Sequence, residues 1–257
     1  MHPDIVVGGS YQSVKDMLNP RNHSFKAVII QILDATFLHY MVMLRFIAIF
    51  FVTIFTQSIY GQIELVKDIF PEGSGIGGSE LVVFKDELYF IGRIGHSDRE
   101  LYKSDGSAAG TQIVADIREN GGSSPDMLTP AGDYLYFLAF NNPTNEELYR
   151  TDGTTAGTEM VADLYPGGSD PNLSNLTAVG NKLFFTGNDG VYGTELYVVE
   201  GTGIPARLTD FRTGSSNAIF IELVAYNGLL FFSSESDTDT VGFELYVSDG
   251  TVEGTQL

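Results

Sequence analysis

The triplet Glu-Leu-Tyr recurs at Glu100-Leu101-Tyr102, Glu147-Leu148-Tyr149, Glu195-Leu196-Tyr197 and Glu244-Leu245-Tyr246. Successive copies lie 47, 48 and 49 residues apart. A second marker precedes each copy: Leu88-Tyr89-Phe90, Leu135-Tyr136-Phe137, Leu183-Phe184-Phe185 and Leu230-Phe231-Phe232. A third is an acid followed by an apolar residue: Asp68-Ile69, Asp116-Ile117, Asp163-Leu164 and Asp210-Phe211. A period of this length is the signature of a repeat architecture, and it overrides any element-by-element reading.

Each copy reads as four short antiparallel strands. Strand one carries Leu81, Leu128, Leu176 or Leu223, seven residues before the leucine of the second marker. The residues between are Lys85-Asp86, Gly132-Asp133, Gly180-Asn181 and Asn227-Gly228. Most of these tolerate positive φ, which a tight hairpin demands. Strand two is the Leu-aromatic-Phe segment and strand three the Glu-Leu-Tyr segment. The turn after it is Asp105-Gly106, Asp152-Gly153 or Asp249-Gly250, with Glu200-Gly201 in the third copy. Strand four is Gln112 to Ile117 and its equivalents. Four strands in ~45 residues match one propeller blade. A single blade would have to offset about 1–2 kcal/mol of backbone entropy per residue with two uncovered faces. Stacked blades cover one another. The expected fold is therefore all-β: a propeller-like array of four four-stranded blades, at about 64–110, 111–157, 158–205 and 206–257. Membership of a larger propeller is the expectation. A closed ring of four, with Glu64 to Ile69 completing the last blade, and an open β-repeat are the alternatives.

The segment before the repeats has a different character. Arg45 precedes an apolar run from Phe46 to Phe55, followed by Thr56 to Gln62. One positive charge, a short apolar stretch and a small residue before a polar start describe a secretory signal peptide at 43–61. The run is shorter than the ~20 residues of a comfortable membrane span, so a retained anchor is the lesser alternative. Residues 1–42 read as an upstream mis-start or an extension without an assigned fold. The repeat domain then covers 62–257 in a secreted or cell-surface protein, with no membrane span after cleavage.

Charge and residue types narrow the chemistry. Thirty-three acidic residues face 14 basic ones, for a formal net charge of −19. A field of that sign repels phosphate backbones and argues against a nucleic-acid partner. Cysteine is absent, and the only histidine after Gln62 is His96, in a variable loop. Ser-His and Cys-His catalysis and typical zinc sites lose their ligands. Carboxylates remain. A glycosidase needs one unique pair of them about 5–10 Å apart. The acids of the repeat recur once per copy, which marks a structural task. Asp105, Asp152 and Asp249 are expected to cap their turns, and they are weak calcium candidates, since the Asp-x-Asp-x-Asp spacing is missing. Glu100, Glu147, Glu195 and Glu244 are expected to bond neighbouring blades or to line a face. Tyr102, Tyr149, Tyr197 and Tyr246 read as core, with a sugar-stacking platform as the alternative.

Glu147-Leu148-Tyr149-Arg150-Thr151-Asp152-Gly153-Thr154-Thr155-Ala156-Gly157-Thr158, the fullest copy, resembles the ELWxxDGT repeat family of bacterial exported proteins. The resemblance spans 63–257. Tyrosine stands where that family usually has tryptophan, and the third copy lacks the downstream Gly-Thr. The resemblance implies a secreted or surface protein and supplies no well-defined catalytic activity. Together these features favour a non-enzymatic module presenting a propeller face to a glycan or a surface protein. No catalytic or cofactor residue is assigned, and the oligomeric state is open. An extracellular glycan hydrolase or lyase would draw on non-repeated acids such as Asp98, Glu146, Asp189 or the Glu235–Asp239 run. A ligand-free spacer is the third reading. Export with cleavage predicts a mature chain that starts at Gln62; the intact mass of protein recovered from culture medium checks this, and retention of Met43 overturns it.

Overall fold

The computed structural model describes residues 37, 39, 41, 64–71, 73, 76–93, 95, 98–119, 121–142, 144–167, 170–237 and 242–257. Contacts divide the chain into two units, 1–64 and 65–257. In the first, Phe37, His39 and Met41 are helical. The proposed signal peptide and His96 lie outside the described residues.

The second unit is built from antiparallel sheets that follow one another along the chain. The first contains β1 (Ile76–Phe84), β2 (Glu87–Arg93), β3 (Arg99–Ser104) and β4 (Gln112–Ala115), hydrogen-bonded in that order. The second contains β5 (Asp126–Ala131), β6 (Tyr134–Phe140), β7 (Glu146–Thr151) and β8 (Glu159–Ala162). The third contains β9 (Ser174–Val179), β10 (Lys182–Asn188), β11 (Thr194–Glu200) and β12 (Ala206–Arg207). The fourth has β13 (Phe220–Tyr226), β14 (Leu229–Ser234) and β15 (Glu244–Ser248), with a single bridge from Val247 to Gln256 where a fourth strand would lie. The first strands adjoin in the order β1, β5, β9, β13, so they form the inner edge of a propeller-like array of four blades.

The sequence markers have distinct places in this plan. The phenylalanine of the second marker sits opposite the tyrosine of the first in every blade: Phe90 with Tyr102, Phe137 with Tyr149, Phe185 with Tyr197 and Phe232 with Tyr246. Their rings stack at centroid distances of 5.7, 5.9, 5.6 and 5.5 Å. All four tyrosines are buried, so they are core and offer no sugar platform. The third marker falls outside strand four. The strands end at Ala115 and Ala162, and Asp116-Ile117 and Asp163-Leu164 begin the crossovers to the next blade. Residues 64–68 belong to no strand, and Lys67 Nζ donates to the Thr111 carbonyl of the first blade at 2.6 Å. That segment therefore does not complete the last blade, which removes the alternative of a four-blade ring closed in this way.

Period-2 alternation sends successive residues of each strand to opposite faces. Each blade thus has a forward face toward the next blade and a backward face toward the previous one. Val82, Phe84, Tyr89, Leu101 and Val114 of the first blade meet Leu128, Leu135, Phe137 and Tyr149 of the second. Tyr136, Leu138, Leu148 and Val161 of the second meet Leu173, Leu183, Phe185 and Tyr197 of the third. Val179, Phe184, Leu196 and Val198 of the third meet Leu230, Phe232 and Tyr246 of the fourth. Each large side chain buried this way contributes about 1.5–3 kcal/mol. Polar hooks accompany the apolar contact. Lys85 Nζ donates to the Asp152 carbonyl at 3.1 Å, Arg150 Nη1 to the Gly201 carbonyl at 2.9 Å, and Lys182 Nζ to the Asp249 carbonyl at 2.6 Å.

The hairpin turns follow the chemistry read from the sequence. Asn227 and Gly228 have φ of 51° and 77°, and Lys85 and Asp86 have 49° and 61°. Not legible in advance were left-handed residues inside the inner strands: Met127, Asn175 and Glu222, at φ of 55°, 58° and 45°. Each sits beside a register shift, so three inner strands carry a bulge at one repeat position.

The turn glycines separate local strain from blade packing. Gly106 has φ +90°, and a Cβ there would meet nothing within 4 Å. Gly153 has φ +99°, and its Cβ would lie 2.5 Å from Tyr89 Oη of the preceding blade. The Gly106→Ala variant is expected to lose about 1–2 kcal/mol, the left-handed penalty alone. Gly153→Ala is expected to lose about 1–3 kcal/mol more, as an overpacked contact does. Urea denaturation of both variants checks this, and equal losses would refute it.

Candidate functional site

The repeated acids have structural partners. Asp105 Oδ1 accepts from Ser107 N at 2.9 Å and from Ser107 Oγ at 2.7 Å. Asp152 does the same with Thr154, at 2.8 and 2.7 Å, and Asp249 with Thr251, at 2.8 and 2.7 Å. Gly110, Gly157 and Gly254 pass so close that a Cβ would lie 2.0–2.2 Å from the same oxygens. Thr111 Oγ1 then bonds the Ser107 carbonyl and Ser104 Oγ, each at 2.7 Å, and closes the loop. The Asp, the Ser/Thr, the second Gly and the final Thr of the Asp-Gly-Ser/Thr-x-x-Gly-Thr motif thus each have a task inside their own turn. The side-chain and backbone hydrogen bonds from residues 107, 154 and 251 hold these carboxyls below their ordinary range. The three aspartates stand on separate blades. Among the described residues no group of three or more His, Cys, Asp or Glu is placed to hold a metal ion.

The repeated glutamates are buried in three blades. Glu100 accepts from Ser123 N at 2.8 Å and from Ser123 Oγ at 2.5 Å. Glu195 accepts from Thr209 Oγ1 at 2.6 Å and from Phe211 N at 3.0 Å. Both hold the crossover that leads to the next blade. Burial pushes both carboxyls up, against the pull of these donors. Glu147 is buried with Oε2 unpartnered, and burial together with the Asp163 charge pushes it up to about 7. Glu244 on the last blade is half-buried.

The non-repeated acids behave differently, and one group of them converges. Glu80 on β1, Asp126 at the start of β5 and Glu146 at the start of β7 line a cleft of about 360 Å³ with Ile91, Arg99, Ser124, Pro125 and Phe140. The inner-strand bulge turns the backbone N–H groups of Met127 and Leu128 toward Glu80, which accepts from them at 3.2 and 2.8 Å. Burial raises the Glu80 carboxyl, and neighbouring Asp126 adds to the effect. Burial pushes Glu146 up to about 7, with the Asp170 and Asp126 charges acting in the same direction. Near neutrality, Glu146 therefore both donates and accepts.

The other rim acids are separate from this cleft. Asp189 accepts from Val191 N and Tyr192 N, each at 2.9 Å. Burial raises its pKa, but those N–H groups hold the carboxyl low overall. Glu235 is paired with Arg212, and Asp237 accepts from Arg212 Nη1 at 3.3 Å and Thr213 N at 2.7 Å. Asp239 lies outside the described residues, and Asp98 has no place in the cleft lining. A larger hollow of about 610 Å³ between the third and fourth blades includes Tyr192, Phe211 and Asp237. Its polar groups are already committed: Arg207 covers the Tyr192 ring at 3.6 Å, and Asp237 is held as described. Glu146 was visible in the sequence as a non-repeated acid. Glu80 and Asp126 were missed. Their signal was a carboxylate one or two residues before the strand-one leucines Leu81 and Leu128.

No protein-family model matches the chain, and a comparison with curated protein sequences finds no match. Among solved structures the chain is similar to a puromycin-hydrolyzing peptidase of Mycobacterium tuberculosis, at 16% identity and TM-score 0.45, over 71% of this chain and 31% of that one. It is similar to TolB from Acinetobacter baumannii, at 17% identity and TM-score 0.38, over 66% of this chain and 39% of that one. It is also similar to an endo-arabinase of Bacteroides thetaiotaomicron, at 17% identity and TM-score 0.34, over 68% of this chain and 76% of that one. The chain spans about a third of the first two.

Glu147 offers a direct test of the buried row. Its folded-state pKa lies above the unfolded value, so its contribution is fully present below pH ~4.5 and is lost as pH rises through about 7. The thermal midpoint is expected to fall across that window. Glu147→Gln is expected to flatten the fall and to gain about 1–3 kcal/mol at pH 8, where the native carboxylate is buried without a full set of partners. Midpoints of both proteins from pH 4 to 9 check this; parallel curves would refute it.

Proposed function

We propose that this chain is a non-enzymatic, exported binding module that holds a polyhydroxylated ligand, a glycan or the glycan-bearing surface of another protein, in the cleft between its first two blades. The observation that carries this reading is the meeting of Glu80, Asp126 and Glu146 with Arg99 in one cleft walled by Phe140, Pro125 and Ile91. Carboxylates accept from sugar hydroxyls, a neutral carboxyl also donates, and Arg99 supplies further donors. Apolar walls suit the C–H faces of a sugar ring. Asp105, Asp152, Asp249, Glu100 and Glu195, by contrast, are consumed by turns and crossovers. The acidic surface and the exported-family resemblance support a site outside the cell, with no nucleic acid as partner.

One observation favours a second reading. Glu146, raised to about 7, stands in the same cleft as Asp126, whose charge helps to raise it. A carboxyl raised toward neutrality beside a second carboxyl group suits acid–base chemistry, so a hydrolase using loop carboxylates is the alternative. The three solved similarities, hydrolases among them, leave this choice to experiment.

Calorimetric titration of the full chain with a panel of soluble oligosaccharides, paired with reducing-end release, separates the two. For a binding module, Glu146→Ala weakens binding about 5–30-fold, the cost of one hydrogen-bonding group to a neutral ligand, and Glu146→Gln changes it little at pH 6. Neither wild type nor variant releases reducing ends. Turnover by wild type that Glu146→Gln abolishes would replace this reading with the hydrolase. Failure of every glycan to bind would overturn both.

A further inference from the structure

Arg93 and Arg99 stand directly opposite each other on β2 and β3. Residues paired in this way hold their side chains on one face of the sheet, and like charges there repel. The fold does not require such a pair. The same repeat position is Phe140 opposite Glu146 in the second blade and Asn188 opposite Thr194 in the third.

Neither arginine is neutralised from within the chain. Ten lysines and arginines follow Gln62. Lys103, Arg150, Arg207 and Arg212 are ion-paired, and Lys67, Lys85 and Lys182 donate to carbonyls. The other three are Arg93, Arg99 and Arg118, and among the described residues they have neither kind of partner. This holds in a chain where 33 acids face 14 bases. Arg93 Nε is also buried with no acceptor among the described residues. A solvated surface arginine keeps that group in water; burying it unpaired costs free energy that an acceptor on a ligand offsets.

The position of the pair gives it a use. Arg99 lines the cleft between the first two blades, and so do Phe140 and Glu146, the pair at the same position of the next blade. One wall therefore has a guanidinium with a second one paired beside it, and the other has a ring and a carboxyl. Glu80, on the same cleft, is committed to the N–H groups of Met127 and Leu128 and forms no ion pair with Arg99.

Resting on the reading of this cleft as a glycan site, we infer that the glycan it takes is acidic: Arg99 and Arg93 bind an anionic group of one sugar, a carboxylate or a sulfate ester, and Phe140 packs against the ring. Guanidinium forks match the paired oxygens of such groups, and the bonds are charge-assisted. A neutral sugar leaves both arginines without a counter-charge, which separates acidic from neutral ligands. The net charge of −19 repels anions from the rest of the surface, so an anion that binds is held locally.

Calorimetric titration of the full chain with trigalacturonate, its methyl ester, galactotriose and galactotriose carrying a sulfate ester tests this. At least one anionic probe is expected to bind about 10–100-fold more tightly than its neutral counterpart, the margin of a charge-assisted hydrogen-bonded pair. The one that gains identifies carboxylate or sulfate as the group recognised. The margin is expected to shrink as salt is added. Arg93→Gln and Arg99→Gln are each expected to reduce it, and the double variant to bind charged and neutral forms alike. Arg99→Lys keeps the charge without the fork and is expected to retain part of the margin. Removing one of two like charges breaks no ion pair, so the variants are expected to keep the wild-type circular dichroism and urea midpoint. Equal binding of charged and neutral probes by wild type would overturn the inference and leave the glycan site standing. An acidic preference undiminished in the double variant would overturn it as well. Failure of both anionic probes to bind would do the same, while binding of any neutral glycan would still support the cleft as a glycan site.

Discussion

The contact between the forward face of one blade and the backward face of the next is what the rest of the structure depends on. A four-stranded sheet has two apolar faces, and its own residues can cover neither. Leu101, Leu148 and Leu196 are buried only because Leu135, Leu183, Leu230 and their neighbours arrive from the following blade. Stability of such arrays is close to a sum of neighbour interfaces, and no single blade is an independent unit. The stacked Phe–Tyr pair inside each blade serves the same end. It keeps the backward face flat and rigid enough to meet its partner.

Buried carboxylates hold this arrangement at a cost in solvation. Glu100 and Glu195 are acceptable in the interior because backbone and hydroxyl donors of the crossovers surround them. Glu147 has a poorer set, and its raised proton affinity records the difference. The same physics, applied to Glu146 at an open cleft, makes a group that exchanges roles as donor and acceptor near neutral pH.

Most of the fold could be read from residue identities, because repetition multiplies a weak signal. Each Leu-aromatic-Phe strand, each hairpin turn and each capped Asp-Gly turn stood where the period placed it. The errors occurred where the chain leaves its strands. Asp116-Ile117 read as strand and is crossover, since Ala115 is the last residue that pairs with β3. The bulges at Met127, Asn175 and Glu222 have no glycine to announce them. The candidate cleft was only partly legible for that reason. Glu146 stood out as unpaired with the period, but Glu80 and Asp126 come together across two blades through a bulge that no local pattern marks.

The glutamate–crossover bond has a consequence for how such a chain can change in length. Glu100 and Glu195 bind the segment that follows their own blade, so each blade carries the anchor for its exit. A duplicated copy inserted after any blade would bring its own anchor and its own two faces. It would re-form one existing contact and create one new one, leaving no polar group stranded. Growth and loss by whole repeats are therefore open to this architecture, whereas insertions of partial repeats would separate a glutamate from the backbone it holds.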